Sequence, residues 1–142
     1  MGGVSRTFKL RLSPSGMDVL IAAHCHLIHA TRQLLAWGTT LHTGVMHLDT
    51  MPVERIVARF DRIALAALCG AEVHFLGAPA TLNDVASRIA ARVAAASPSA
   101  PAPALLHIYI LALKILSSAD PADLKLAYRL VSIGGMKQST KS

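Results

Sequence analysis

The sequence has no apolar run long enough to cross a bilayer. A spanning helix needs about 18 or more consecutive apolar residues, and Glu72, His107 and Lys114 interrupt the candidate segments. The first residues also lack the charged-then-apolar layout and the small-residue cleavage site of a signal peptide. We therefore expect a cytoplasmic protein without a membrane partner.

Cysteines and aromatic residues are also few. Cys25 and Cys69 are the only cysteines, and a pair of reduced thiols is the ordinary state in the cytosol. Three Phe, two Tyr and Trp37 are the whole aromatic set. Because stacking on aromatic side chains is how single-stranded bases are commonly read, sequence-specific recognition of single strands by stacking is disfavoured.

Motifs for catalysis are missing as well. There is no glycine-rich phosphate loop, and Asp61 and Glu72 are isolated. Most of the other carboxylates fall at predicted helix starts, where capping and the helix dipole explain them. We predict no catalytic residues, no cofactor and no enzymatic activity, and we expect a binding or assembly component.

Length and charge indicate a single basic domain. The 142 residues, 53% of them apolar, suit a single domain (1–142) with its own core. Fourteen Lys and Arg against eight Asp and Glu give a net charge of +6, and the pI is near 9.9. This excess favours an anionic partner such as nucleic acid.

The start of the chain alternates as a strand does. Over residues 5–14, Phe8, Leu10 and Leu12 share one face. The other face carries Thr7, Lys9 and Arg11. Because no other segment shows a strand pattern, we predict that this strand pairs outside the helical body, with a protein partner or a second copy in a homodimer.

The rest of the chain predicts a mainly α fold, a bundle of about five helices. Apolar spacing predicts one long helix over 15–50, or two broken at Gly38 or Gly44. A helical pair over 52–96 and a proline-rich linker over 97–104 follow. A helical hairpin over 105–135 and a flexible tail over 136–142 complete the chain.

Three helix boundaries have local signals. Thr81 with Asp84 resembles a capping box that opens a helix. Asp120 before Pro121 predicts a helix start, and Gly134-Gly135 predicts a helix end. The segment Leu105 to Leu116 is apolar on nearly all sides, which predicts a central buried helix or an interface.

Two arginine stripes are candidate phosphate contacts. Arg55, Arg59 and Arg62 share one helix side, and Arg88 with Arg92 form the outer stripe of the next helix. Such stripes are usually solvated and paired locally. If they align across a hairpin, they form a cationic track for phosphates.

The densest set of metal-ligating residue types is His24-Cys25-His26 with His29. One straight helix cannot aim all four at one ion, because neighbours lie about 100° apart. We predict no metal site, with His26 and His29 as the alternative pair. His24 falls on the apolar face, as a hydrogen-bonded core histidine would.

A resemblance is carried by the first third of the chain. Lys9-Leu-Arg-Leu12 followed by Leu20, His24, Arg32, Trp37 and Leu41 resembles the amino-terminal segment of type V subtype B CRISPR RNA-guided nucleases. In that family the strand belongs to the wedge domain, and the helix leads into the recognition lobe that holds the guide and target heteroduplex. The resemblance implies a recognition-lobe-like piece without the nuclease domain, contacting guide RNA or heteroduplex backbone through Lys9, Arg11 and Arg32.

A second resemblance uses the same strand. Arg6 to Pro14, a helix, and then Ala30-Thr-Arg-Gln-Leu-Leu35 are similar to ribbon-helix-helix DNA-binding proteins, including plasmid mobilisation accessory proteins and repressors. That family pairs strands from two chains and reads the major groove with the outward residues, here Thr7, Lys9 and Arg11.

A third hypothesis is a helical interaction subunit that binds a protein through Leu105 to Leu116 and uses no nucleic acid.

Overall fold

The computed structural model describes the backbone of residues 5–140 and the side chains of residues 7–132. Over this part of the chain, seven α-helices accompany one two-stranded antiparallel sheet. The elements are β1 (Ser5–Leu12), α1 (Pro14–Thr31), α2 (Trp37–Thr50), α3 (Val53–Arg59), α4 (Arg62–Leu68), β2 (Glu72–Pro79), α5 (Leu82–Ala96), α6 (Leu105–Ser118) and α7 (Pro121–Thr140). The prediction of a mainly α fold is confirmed.

The first strand has its partner inside the chain. β1 pairs with β2 along its whole length, from Ser5 opposite Pro79 to Leu12 opposite Glu72. We call this pair of strands the ribbon. The expectation that β1 must pair outside the helical body is therefore wrong, because the ladder partners of its backbone groups come from β2.

Helix α6 runs through the centre of the molecule and packs against α1, α2, α4 and α5. Every side chain from Ile108 to Leu113 is buried, which confirms the prediction of a central buried helix. The inner face of the ribbon, formed by Phe8, Leu10 and Leu12, joins the same core. The Phe8 ring meets Tyr109 of α6 edge-on, with centroids 5.8 Å apart.

The break between the first two helices does not lie at a glycine. Helix α1 ends where Arg32 adopts a left-handed conformation (φ 58°) and its N–H donates to the carbonyl of Ile28 at 2.7 Å. Gly38 and Gly44 are buried inside α2. A Cβ added at Gly38 would overlap the carbonyl oxygen of Gly77 in β2. Glycine at 38 therefore permits close backbone packing and does not end a helix.

The segment predicted as a helical pair over 52–96 contains α3, α4, β2 and α5. The chain turns between α3 and α4 because Asp61 caps α4, accepting from the N–H groups of Ile63 and Ala64 at 3.1 Å. Helix α5 begins at Leu82, but the Thr81 side chain makes no capping hydrogen bond. The predicted helix start is therefore correct, but the predicted capping hydrogen bond from Thr81 is absent.

The last helix begins at Pro121, after Asp120, and continues to Thr140. Gly134-Gly135 therefore does not end it. A glycine inside a helix costs only about 1 kcal/mol relative to alanine, so a glycine pair is a weak stop signal. Residues 141 and 142 of the predicted flexible tail lie outside the described residues. Residues 97–104 form neither helix nor strand.

Candidate nucleic-acid interface

The outer face of the ribbon points away from the core. Directly opposite residues of an antiparallel pair share a face. The register therefore joins three exposed pairs on this face: Thr7 with Gly77, Lys9 with Phe75, and Arg11 with Val73. We call these six residues the ribbon face.

The ribbon face carries unneutralised positive charge. The side chains of Lys9 and Arg11 make no hydrogen bond or ion pair with any residue in the described part of the chain. Glu72, the carboxylate of the same sheet, lies opposite Leu12 and so belongs to the inner face of the ribbon. Its Oε1 is 3.7 Å from Nε2 of His74. The two cations are therefore open to an external anion.

Phe75 is a candidate binding residue that the sequence analysis did not single out. Its side chain is 63% exposed although it lies in a strand, and the register sets it directly across from Lys9. The signal that could have found it is the spacing of Val73 and Phe75, two residues apart on one face of a short segment. That signal becomes readable only when the strand itself is known.

Arg55 and Arg59 line a different surface, a cleft of about 350 Å³ between α2, α3, α6 and α7. Asp120 and Asp123 line the same cleft, so carboxylates balance the two guanidinium groups. His47 also lines it. Burial lowers the pKa of His47, while the Asp123 carboxylate raises it and Arg55 lowers it by smaller amounts.

Arg62 contacts the proline-rich segment. Its guanidinium donates to the carbonyl of Pro101 and lies 5.2 Å from the centroid of the Phe60 ring. These contacts tie the start of α4 to residues 97–104. Arg62 therefore has an internal role in holding this segment. The prediction that it shares one helix side with Arg55 and Arg59 is wrong, because α3 ends at Arg59 and Arg62 begins α4.

Arg88 and Arg92 are bound to the carboxyl end of α2. Arg88 donates to the Asp49 carboxylate at 2.8 Å, and this hydrogen bond raises the pKa of Arg88. Arg92 donates to the backbone carbonyls of Asp49 at 3.1 Å and Met51 at 2.7 Å. Cations at a helix carboxyl end satisfy its free carbonyl groups. These contacts give both arginines partners within the chain.

The remaining candidate residues lie along α1. Arg32 is exposed and lines a shallow groove with His29, Cys25 and Leu34. His26 Nε2 donates to the carbonyl of Ala119 at 2.7 Å, so its ring joins α1 to the α6–α7 turn. Among the described residues, no group of three or more His, Cys, Asp or Glu could hold a metal ion.

The structure thus brings Thr7, Lys9 and Arg11 together on one face. It places Arg55 with Arg59 in the cleft, and Arg88 with Arg92 at Asp49. The two arginine stripes therefore point to different partners and do not share one pocket. Among the described residues, no helix combines the length and hydropathy of a membrane span.

Comparison with known proteins does not assign the chain to a family. No family model, curated protein or solved structure matches the chain. The ribbon face and the resemblances noted in the sequence are therefore the features that point to a function.

Proposed function

We propose that the chain is a non-catalytic nucleic-acid-binding protein that contacts the phosphate backbone with the ribbon face. The observation that carries the proposal is the pair of unpartnered cations, Lys9 and Arg11, projecting from one paired strand. Phosphate contacts of this kind supply affinity that depends on salt and is independent of sequence. The overall charge of +6 supports the same class of partner.

The spacing of the two cations suits a polyanion. Lys9 and Arg11 are two residues apart on β1, which is about 7 Å along a strand. Thr7 extends the same row with a hydroxyl group. A two-stranded ribbon is also narrow enough to enter a major groove. The row therefore presents donors at regular intervals along a chain of phosphates.

A finer proposal follows from the CRISPR resemblance. A recognition-lobe-like piece would contact guide RNA or heteroduplex backbone with the strand that carries Lys9 and Arg11. The ribbon-helix-helix alternative has less support, because β2 already occupies one edge of β1. The interaction-subunit alternative has less support, because most of Leu105 to Leu116, the segment proposed to bind a protein, is buried in the core.

Charge reversal tests the proposal. We expect Lys9→Glu/Arg11→Glu to abolish binding to RNA and DNA in fluorescence anisotropy at low salt, with helix content by circular dichroism unchanged. The matched control is Lys125→Glu/Arg129→Glu, which makes the same charge change at two exposed positions of α7. Retained affinity in the ribbon variant, or equal loss in the α7 variant, would refute the site.

A further inference from the structure

Phe75 occupies the middle of the ribbon face. Lys9 lies directly across from it, with Cβ atoms about 4.5–5.5 Å apart in such pairs, and Thr7 and Arg11 lie at the diagonal positions about 7–8 Å away. A large aromatic side chain that is 63% exposed leaves apolar area in water. The exposed ring is therefore bordered on its β1 side by groups that bind phosphate.

The surface beside the ring is open. Gly77 lies two positions along β2 on the same face, and a Cβ built there would meet no atom within 4 Å. The residue on the other side, Val73, is less exposed than Phe75, at 37%. A flat group can thus approach the Phe75 ring from the Gly77 side without displacing another side chain.

A nucleobase is the flat group that fits these neighbours. Bases stack on aromatic rings irrespective of sequence, and the phosphates beside a stacked base need cations at short range. In a duplex both faces of each internal base are already stacked on its neighbours. A single strand leaves a base face free, so the ring favours a single strand over a duplex.

We infer that Phe75 stacks on a base of a single-stranded nucleic acid while Lys9 and Arg11 hold the adjacent phosphates. This inference rests on the proposed function and deepens it, because it names single-stranded RNA or DNA as the ligand class and adds a binding residue. It is compatible with the expectation, drawn from the small number of aromatic residues, that sequence-specific recognition of single strands by stacking is disfavoured. One well-placed ring is sufficient for a contact that is independent of sequence.

The test compares one oligonucleotide, single-stranded and as a duplex, by fluorescence anisotropy between about 50 and 200 mM salt. We expect the full chain to prefer the single strand. Phe75→Ala should weaken single-strand binding by about 5- to 150-fold, the range for loss of one stacked base. Phe75→Tyr should restore it. Ile63→Ala removes another highly exposed apolar side chain and should leave the affinity unchanged.

The salt dependence separates stacking from charge. Phe75→Ala should leave the slope of log K against log salt unchanged, whereas Lys9→Ala should reduce its magnitude by about 0.7 for a single strand. Single-strand affinity unaffected by Phe75→Ala, or no preference for the single strand over the duplex, would overturn this inference and leave the proposed function standing. Absence of binding to every probe at low salt would overturn both.

Discussion

The imidazole of His24 lies flat against the indole of Trp37, with ring centroids 3.8 Å apart and an interplanar angle of 16°. His24 Nδ1 is also hydrogen-bonded to Thr40 Oγ1 at 2.7 Å. These contacts join α1 to the first turn of α2, across the break at residues 32–36. The expectation of a hydrogen-bonded core histidine is confirmed.

This pair predicts a dependence of stability on pH. Burial lowers the pKa of His24 below its ordinary value of 6.5, so the folded state binds its proton less readily than the unfolded state does. The neutral His24 ring therefore contributes its full share to the free energy of unfolding above about pH 6.5. That contribution is lost as the pH falls through and below this value. We expect the melting temperature to fall on acidification. The fluorescence of Trp37, the sole tryptophan, can be used to follow the unfolding.

His42 and His47 also have pKa values lowered by burial, so the variant His24→Asn is needed to isolate one residue. Its pH profile should be flatter than that of the parent protein. An equally steep profile in His24→Asn would assign the dependence to the other two histidines.

A second prediction concerns two glycines in one helix. Gly38→Ala should lower the free energy of unfolding by roughly 1–3 kcal/mol, because the new methyl group overlaps the Gly77 carbonyl oxygen. Gly44→Ala is the matched control, since its Cβ would lie 3.4 Å from the Ala112 oxygen and alanine favours helix by about 0.5–1 kcal/mol. Urea unfolding measures both. Equal effects of the two substitutions would contradict the close approach of α2 to the ribbon.

A third prediction separates Arg88 from Arg92. Arg92 donates to two backbone carbonyls at the end of α2 and its side chain is 32% exposed, so Arg92→Ala should cost about 1–2 kcal/mol in urea unfolding. Arg88 makes one bond to a carboxylate from an exposed position, and Arg88→Ala should cost less. A larger loss at Arg88 would contradict this ranking.

A fourth prediction concerns the two free thiols. Burial raises the pKa of the Cys69 thiol, whose Sγ contacts the carbonyl of Leu65 at 3.5 Å, whereas Cys25 is exposed. Since the thiolate is the reactive form, iodoacetamide at mildly alkaline pH should modify Cys25 first. Mass spectrometry of Cys25→Ser should then show slow labelling, which accelerates as the pH rises. Fast labelling of that variant would contradict the partial burial of Cys69.

The two strands differ in how far sequence could predict them. β1 is readable because its outward residues Lys9 and Arg11 are charged, which gives the alternation of a half-buried strand. In β2 the outward positions hold the apolar Val73 and Phe75, whereas the inward face begins with Glu72 and His74, so apolar residues do not mark the side that faces the core. The missing strand then produced the wrong expectation of an outside partner for β1.

The arginines show a similar limit. Helical spacing correctly groups Arg55 with Arg59 and Arg88 with Arg92, because that grouping is local. It wrongly adds Arg62 to the first group, since the chain turns after α3 and Arg62 begins α4. Their partners come from distant elements: Asp49 in α2 for one pair, and the cleft shared with α7 for the other. Spacing within a helix contains no information about which surface lies opposite it.

The pairing of β1 with β2 has a consequence for how the protein acquires its surface during synthesis. Four helices separate the two strands in sequence, so the ribbon is a non-local contact, and such contacts must first overcome the entropy of closing a long loop. Lys9 leaves the ribosome well before Phe75 does. A nascent chain that ends before β2 therefore has the cations but not the assembled face.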